Sequence, residues 1–213
     1  MLELKNIKKS YSTQLVIEKD SLLLDKGIYW VKGANGSGKT TLLKMIAGLL
    51  PFDGDILVNN TSQKKNPVDY RKKISWAEAE PLYPSFLTGN DLIKLYRNIY
   101  KEDQKEIDKI IELLNIDEYA EDKIGTYSAG MTKKLSLALA FIGNVKLCLL
   151  DEPLITLDAE TIHIVCDFIV EKHKKNGISF LMSSHQELNT QLLLSEKELI
   201  IANQTITINE TGK

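Results

Sequence analysis

Apolar and β-branched residues crowd Leu2–Ile7, Leu15–Leu24 and Ile28–Lys32 with little helical period, and predict three strands. Thr40–Leu49 spaces its apolar residues as a helix does, with Gly48 and Pro51 as its stop signals. Ile56–Val58 and Ile74–Ala77 read as further short strands. From about Phe86 to Gly143 the period changes: Asp91–Tyr100, Gln104–Leu114 and Ala129–Ile142 all carry apolar residues at helical spacing. Strand and helix then alternate through Leu147–Leu150, Ala159–Lys174, Ile178–Ser183 and Glu198–Ala202. Such alternation predicts an α/β fold with a mostly parallel sheet flanked by helices. The opening strands form an antiparallel β subdomain. Residues 86–143 form a helical subdomain inserted in the core of a single domain, 1–213.

The composition narrows the function. With 213 residues, 27 Lys+Arg against 29 Asp+Glu and a formal charge of −2, the chain lacks the excess of cations that drives sequence-independent nucleic-acid binding, so no nucleic-acid partner is expected. No apolar run approaches the ~20 residues that span a bilayer. The first residues, Met1-Leu2-Glu3-Leu4-Lys5, lack the basic and apolar regions of a signal peptide. Cys148 and Cys166 have no metal-ligand spacing and suggest no disulfide framework, which points to a reducing cytoplasm. Arg71 and Arg97 are the only arginines.

The first candidate chemistry is Gly33-Ala34-Asn35-Gly36-Ser37-Gly38-Lys39-Thr40, which matches the P-loop pattern between an expected strand and an expected helix. Glycines let successive backbone N–H groups turn inward. Those amides and the positive helix terminus attract phosphate. Lys39 is placed to reach the β- and γ-phosphates, Thr40 to ligate Mg²⁺ and Thr41 to reach the α-phosphate. The plain alternative is a glycine-rich turn that caps a helix. It does not explain the lysine and hydroxyl at the pattern's own spacing.

The second is Lys146-Leu147-Cys148-Leu149-Leu150-Asp151-Glu152, an apolar strand ending in two carboxylates. A strand buried on both faces reads as such a run, and ligands gather at strand C-terminal ends. Asp151 is expected to hold Mg²⁺, directly or through water, and Glu152 to polarise the attacking water. His185 follows the strand Ile178–Ser183 toward the same rim, and is read as a γ-phosphate contact that orients Glu152 and the water.

Together these ordered motifs resemble the ATP-binding subunit of an ABC transporter, over essentially the whole chain. Tyr127-Ser128-Ala129-Gly130-Met131 sits where that family has its Leu-Ser-Gly-Gly-Gln signature. The resemblance makes Ser128 and Gly130 nucleotide contacts, Leu157-Asp158 the end of the loop after the carboxylates, His185 the switch histidine and Tyr11 the aromatic that stacks on adenine. Two departures stand out. Ala129 and Met131 replace a glycine and the glutamine of the signature. Ala79, between Glu78 and Glu80, occupies the place of a glutamine that touches Mg²⁺ and the membrane partner.

The resemblance implies ATP and Mg²⁺ as cofactors. It implies a head-to-tail homodimer, or a pair with a related ATPase subunit, that closes on two ATP. It also implies a separate membrane-spanning subunit that the chain powers from the inner face of the cell membrane, as a peripheral cytoplasmic protein. The short chain looks more like export cassettes than import ones. Leu82-Tyr83-Pro84-Ser85-Phe86-Leu87 is either the dock for the membrane subunit or a loop folded onto the helical insertion. Three alternatives stand beside this: a soluble ABC-type ATPase, a P-loop small-molecule kinase, and a regulatory nucleotide-binding module with little turnover.

Overall fold

Leu2 pairs with Leu24 and Tyr11 with Gln14, so the chain opens as a long antiparallel hairpin of β1 (Leu2–Tyr11) and β2 (Gln14–Leu24). The computed structural model describes residues 1–184 and 197–210. Then come β3 (Ile28–Lys32), α1 (Lys39–Ile46), β4 (Asp53–Val58), β5 (Thr61–Ser62), α2 (Pro67–Arg71) and β6 (Ile74–Ala77). The helical stretch holds α3 (Gly89–Tyr100), α4 (Gln104–Leu113) and α5 (Ala129–Phe141), with a 3₁₀ turn at Ile124–Thr126. The chain returns through β7 (Leu147–Leu150), α6 (Ala159–Asn176), β8 (Ser179–Ser183), β9 (Lys197–Ala202) and β10 (Thr205–Glu210).

The strands form two sheets. One is antiparallel, in the order β2-β1-β4-β5. The other, β10-β9-β3-β8-β7-β6, is parallel from β9 to β6, with only β10 antiparallel. Its apolar runs divide by the two-residue period of a strand. Ile28, Trp30, Cys148, Leu150, Phe180 and Met182 face one core, which they share with α3 to α6. Tyr29, Val31, Leu147, Leu149 and Leu181 face the other, shared with α1 and the antiparallel sheet. Burial on both faces is why these strands carry no polar alternation. Cys148 and Cys166 are buried free thiols, and burial pushes them up to about 12 and about 11.

Three elements, β5, α2 and β10, and the outer end of β1 lie beyond the sequence expectation. β1 runs on to Tyr11 because its outer end is charged on both partners: Lys8 pairs with Glu18, Nζ–Oε1 3.0 Å. β5 and β10 follow two-residue turns at Asn59-Asn60 and Asn203-Gln204, in which all four residues take positive φ. That is the geometry a type I′ hairpin needs, reached here without glycine. α2 is one short turn started by Pro67.

Candidate functional site

The loop from Gly33 to Lys39 joins the C-terminal end of β3 to α1. Its course depends on absent side chains. A Cβ on Gly33 would stand 2.5 Å from Ser37 Oγ and 2.6 Å from the carbonyl oxygen of Ile201. Gly38, at φ +106°, is the left-handed N-cap of α1 and lies over Val16 and Ile17 of β2, which a Cβ would meet at 3.0 and 3.1 Å. Ala34, Asn35, Gly36 and Thr40 are exposed, and Ser37, Gly38 and Thr41 half-buried.

Lys39 is buried, and its ammonium donates to the carbonyls of Gly33 (2.8 Å) and Ala34 (3.1 Å). The cation therefore spans the mouth of its own loop. Ser37 Oγ is buried with no hydrogen-bond partner.

The carboxylates approach from β7. Its parallel registers with β6 and β8 carry the chain to Asp151, whose N–H donates to the carbonyl of Ala77 at 2.9 Å. Thr40 Oγ1 donates to Asp151 Oδ1 at 3.2 Å and Ser183 Oγ donates to the same oxygen at 2.6 Å. Asp151 Oδ2 is buried and unpaired. Glu152 is buried, holds φ +47° and donates its N–H to Ser183 Oγ at 2.9 Å. A non-glycine residue in that region costs about 1–3 kcal/mol and persists only where its surroundings hold it.

The structure thus brings Thr40, Asp151 and Glu152 together beside residues 33–41. Tyr11 closes the β1–β2 hairpin opposite Gln14, two residues before Val16, and is half-exposed under Lys9, whose Nζ lies 4.9 Å from the ring centroid. Ser128 and Gly130 stand elsewhere, at the N-terminus of α5. Ser128 is exposed and caps the helix by accepting the N–H of Met131 at 3.2 Å, while Gly130 lies against the carbonyl of Thr156. Asp158 caps α6 by accepting the N–H of Thr161 at 2.8 Å, and that bond holds its carboxyl below the usual range. His185 lies outside the described residues.

Two participants escaped the sequence reading. Ser183 ends a predicted strand and has no motif of its own. Lys133 is 1% exposed on α5 and donates to the carbonyls of Ala79 (2.9 Å), Glu78 (3.0 Å) and Asp151 (3.3 Å). Burial lowers its pKa to about 8, against the upward pull of Asp151, Glu152, Glu78 and Glu80. The available signal was a charge at a core-facing helical position, four residues before Leu137.

Ala79 itself is half-buried. Glu78 pairs with Lys44 of α1, and Glu80 is exposed. The stretch 82–87 divides: Tyr83 and Leu87 pack against the helical core, while Leu82 (91% exposed) and Phe86 (72%) face solvent. Tyr83 therefore leaves the outward patch. Burial pushes its hydroxyl up to about 12, although a hydrogen bond with Ser136 works in the opposite direction.

The profile of the family described as ABC transporter matches residues 20–155. The ABC transporter ATP-binding protein YhcH of Bacillus subtilis is 32% identical over 216 residues, covering 100% of this chain and 68% of that protein. The linearmycin resistance ATP-binding protein LnrL of the same organism is 29% identical, over 98% of this chain and 68% of its own. The cytochrome c biogenesis ATP-binding export protein CcmA of Reclinomonas americana is 32% identical, over 96% and 91%. Among solved structures, an ATP-binding subunit of an ABC transporter superposes with TM-score 0.88 at 24% identity, over 98% of this chain and 89% of that one. The dimeric bacterial cassette MJ0796 superposes with TM-score 0.87 at 18% identity, over 100% of both, a likeness of fold. From profile, relatives and architecture together, the chain belongs to the ABC transporter family and is an ATP-binding, ATP-hydrolysing subunit of it.

Proposed function

We propose that this subunit binds ATP with Mg²⁺ at residues 33–41 and hydrolyses it to power export through a separate membrane-spanning subunit. It works as one domain, with about 86–143 as its helical subdomain, docked at the inner face of the cell membrane. The observation that carries this reading is the meeting of Thr40 and Asp151 at 3.2 Å, with Asp151 Oδ2 buried and unpaired beside the phosphate loop. A hydroxyl and a carboxylate are hard oxygen donors of the kind Mg²⁺ takes. Thr40 and Asp151 are the residues that would hold the ion, which when bound would neutralise charge on the phosphates.

The remaining residues divide the work. The amides of Gly33, Ala34, Asn35, Gly36, Ser37 and Gly38 cradle the phosphates, and Lys39 exchanges its loop carbonyls for phosphate oxygens. Thr41 contacts the α-phosphate, and Tyr11 stacks on adenine. Glu152, fixed through its backbone by Ser183, orients the attacking water and accepts its proton. His185 orients that water from the γ-phosphate side.

A second chain, identical or related, completes the site by presenting Ser128 and Gly130. The exposed, capped N-terminus of α5 supports this arrangement, since it offers a hydroxyl and amide donors where no arginine stands. Among the described residues no helix is long and apolar enough to cross a membrane, in keeping with a separate spanning partner. Export is supported by the names of LnrL, a resistance protein, and CcmA, an export protein. Ala79 favours a second reading, a regulatory module with little turnover.

Phosphate release with the cognate membrane subunit tests the two. Active turnover that falls by about 10²–10⁴ in Glu152→Gln, with ATP still bound, supports the first reading. ATP-dependent dimers of that variant in gel filtration support closure. Wild-type turnover no faster than that of the variant supports the module.

A further inference from the structure

Lys133 joins two parts of the molecule that the motifs treat separately. Its helix, α5, begins at the exposed Ser128, yet five residues later Lys133 is sealed from solvent. All three of its N–H groups are used, on the carbonyls of Glu78, Ala79 and Asp151. The ammonium thus serves as a three-way backbone tie, with the charges of Asp151, Glu152, Glu78 and Glu80 acting on it as well. Glu78 and Ala79 lie in the loop after β6. That loop is therefore anchored through its backbone, and the anchor is on the helix that Ser128 starts.

We propose that Lys133 is a positioning residue that holds the 78–79 loop and the Asp151–Glu152 turn to α5 as one unit. The inference rests on the proposed function, in which Ser128 faces the nucleotide of a second chain while Asp151 and Glu152 serve the chain's own. A shift of α5 as that second site closes is then transmitted through one ammonium to the carboxylates of the first. The bonds of Lys39 to the Gly33 and Ala34 carbonyls are a set separate from those of Lys133, so the phosphate loop should keep them when the tie is removed.

The test uses the full chain, with its membrane subunit for turnover, in the variants Lys133→Met and Lys133→Arg. In Lys133→Met, amide hydrogen exchange across 77–82 should quicken at least tenfold while that of 33–41 is unchanged. ATP affinity should stay within threefold, and kcat should fall at least tenfold with KM little altered. Lys133→Arg, which can still donate to all three carbonyls, should recover kcat to within threefold of wild type. Wild-type exchange and kcat in Lys133→Met would overturn the proposal, and so would equal loss of ATP binding in both variants. If Lys133→Met does not fold, Lys133→Gln decides: loop exchange and kcat should shift together, and a change in one without the other overturns the tie. If the wild type releases no phosphate, the functional reading fails by itself, and the exchange comparison alone supports or overturns the role of Lys133.

Discussion

Ser183 Oγ donates to Asp151 Oδ1 at 2.6 Å while accepting the N–H of Glu152 at 2.9 Å. One hydroxyl at the end of β8 thus fixes two consecutive residues at the end of β7. The parallel register makes this possible: Leu150 lies opposite Met182, so the next residues of the two strands fall side by side. Thr40 reaches the same Asp151 oxygen from α1, which leaves the other oxygen free for a ligand.

Ser183→Ala should damage turnover more than binding. The buried N–H of Glu152 would lose its partner, a cost of about 1–3 kcal/mol. For a chain of this size each kcal/mol is roughly 2–4 °C in Tm. The left-handed Glu152 would be held less firmly, and small displacements of a reacting group can cost about 10²-fold. Phosphate release should therefore fall tenfold or more, with ATP affinity measured calorimetrically within threefold of wild type. Ser183→Thr, which keeps the hydroxyl, should recover most of the activity. Equal losses in both variants would contradict the hydroxyl's role.

What the sequence made legible was local. The P-loop pattern and the apolar strand before Asp151-Glu152 lie in consecutive residues, so pattern and spacing suffice to pick them out. The strands of the opening hairpin, the helices α3 to α5 and the parallel core were likewise readable from periodicity. The ties between segments were not. Ser183 and Asp151 are 32 positions apart, and Lys133 meets Ala79 across 54. Neither pairing leaves a periodic trace. The β10 hairpin was hidden for another reason: Asn203-Gln204 adopts a turn usually marked by glycine. Tyr83 and Phe86 look alike in sequence, and only packing sends one inward and the other out.

Lys39→Met should abolish nucleotide binding without unfolding the chain. The ammonium is buried against two loop carbonyls, so its removal also deletes a desolvated charge from the free protein. A ligand at 100 times its Kd stabilises by about 2.7 kcal/mol. At this chain length that is roughly 5–11 °C, the rise expected for the wild type on adding ATP and Mg²⁺. In Lys39→Met the rise should vanish while the nucleotide-free Tm stays within a few degrees. An undiminished ATP-induced shift would move the phosphates away from this loop.

The paired change Leu82→Ser with Phe86→Ser should release the membrane subunit and leave the fold alone. Both side chains face solvent, so their loss exposes no core. Tyr83→Ala should do the reverse, lowering Tm through the lost packing against the helical core. Co-purification of the membrane subunit and thermal unfolding of the isolated chain separate the two effects. Full retention of the subunit by the serine pair would remove the dock from this loop.

Glu171 predicts an acid limit on the α4–α6 junction. Its carboxylate on α6 accepts from Lys109 of α4 at 2.7 Å and from Lys175 at 2.9 Å. Those bonds hold its pKa down at about 2, against an ordinary 4.5. In the folded chain the group stays ionised at pH values where the unfolded chain takes up a proton. Its stabilisation is therefore complete above pH 4.5 and is lost as the pH falls toward 2. The pair is partly exposed, which limits its worth to about 1 kcal/mol or less, and salt screens it further. Glu171→Gln should unfold a few degrees below wild type at pH 7 in low salt. That gap should narrow on acidification through the same window and shrink in 1 M salt, roughly a 3 Å screening length. A gap that widens on acidification would show that the two lysines are not what holds this carboxylate.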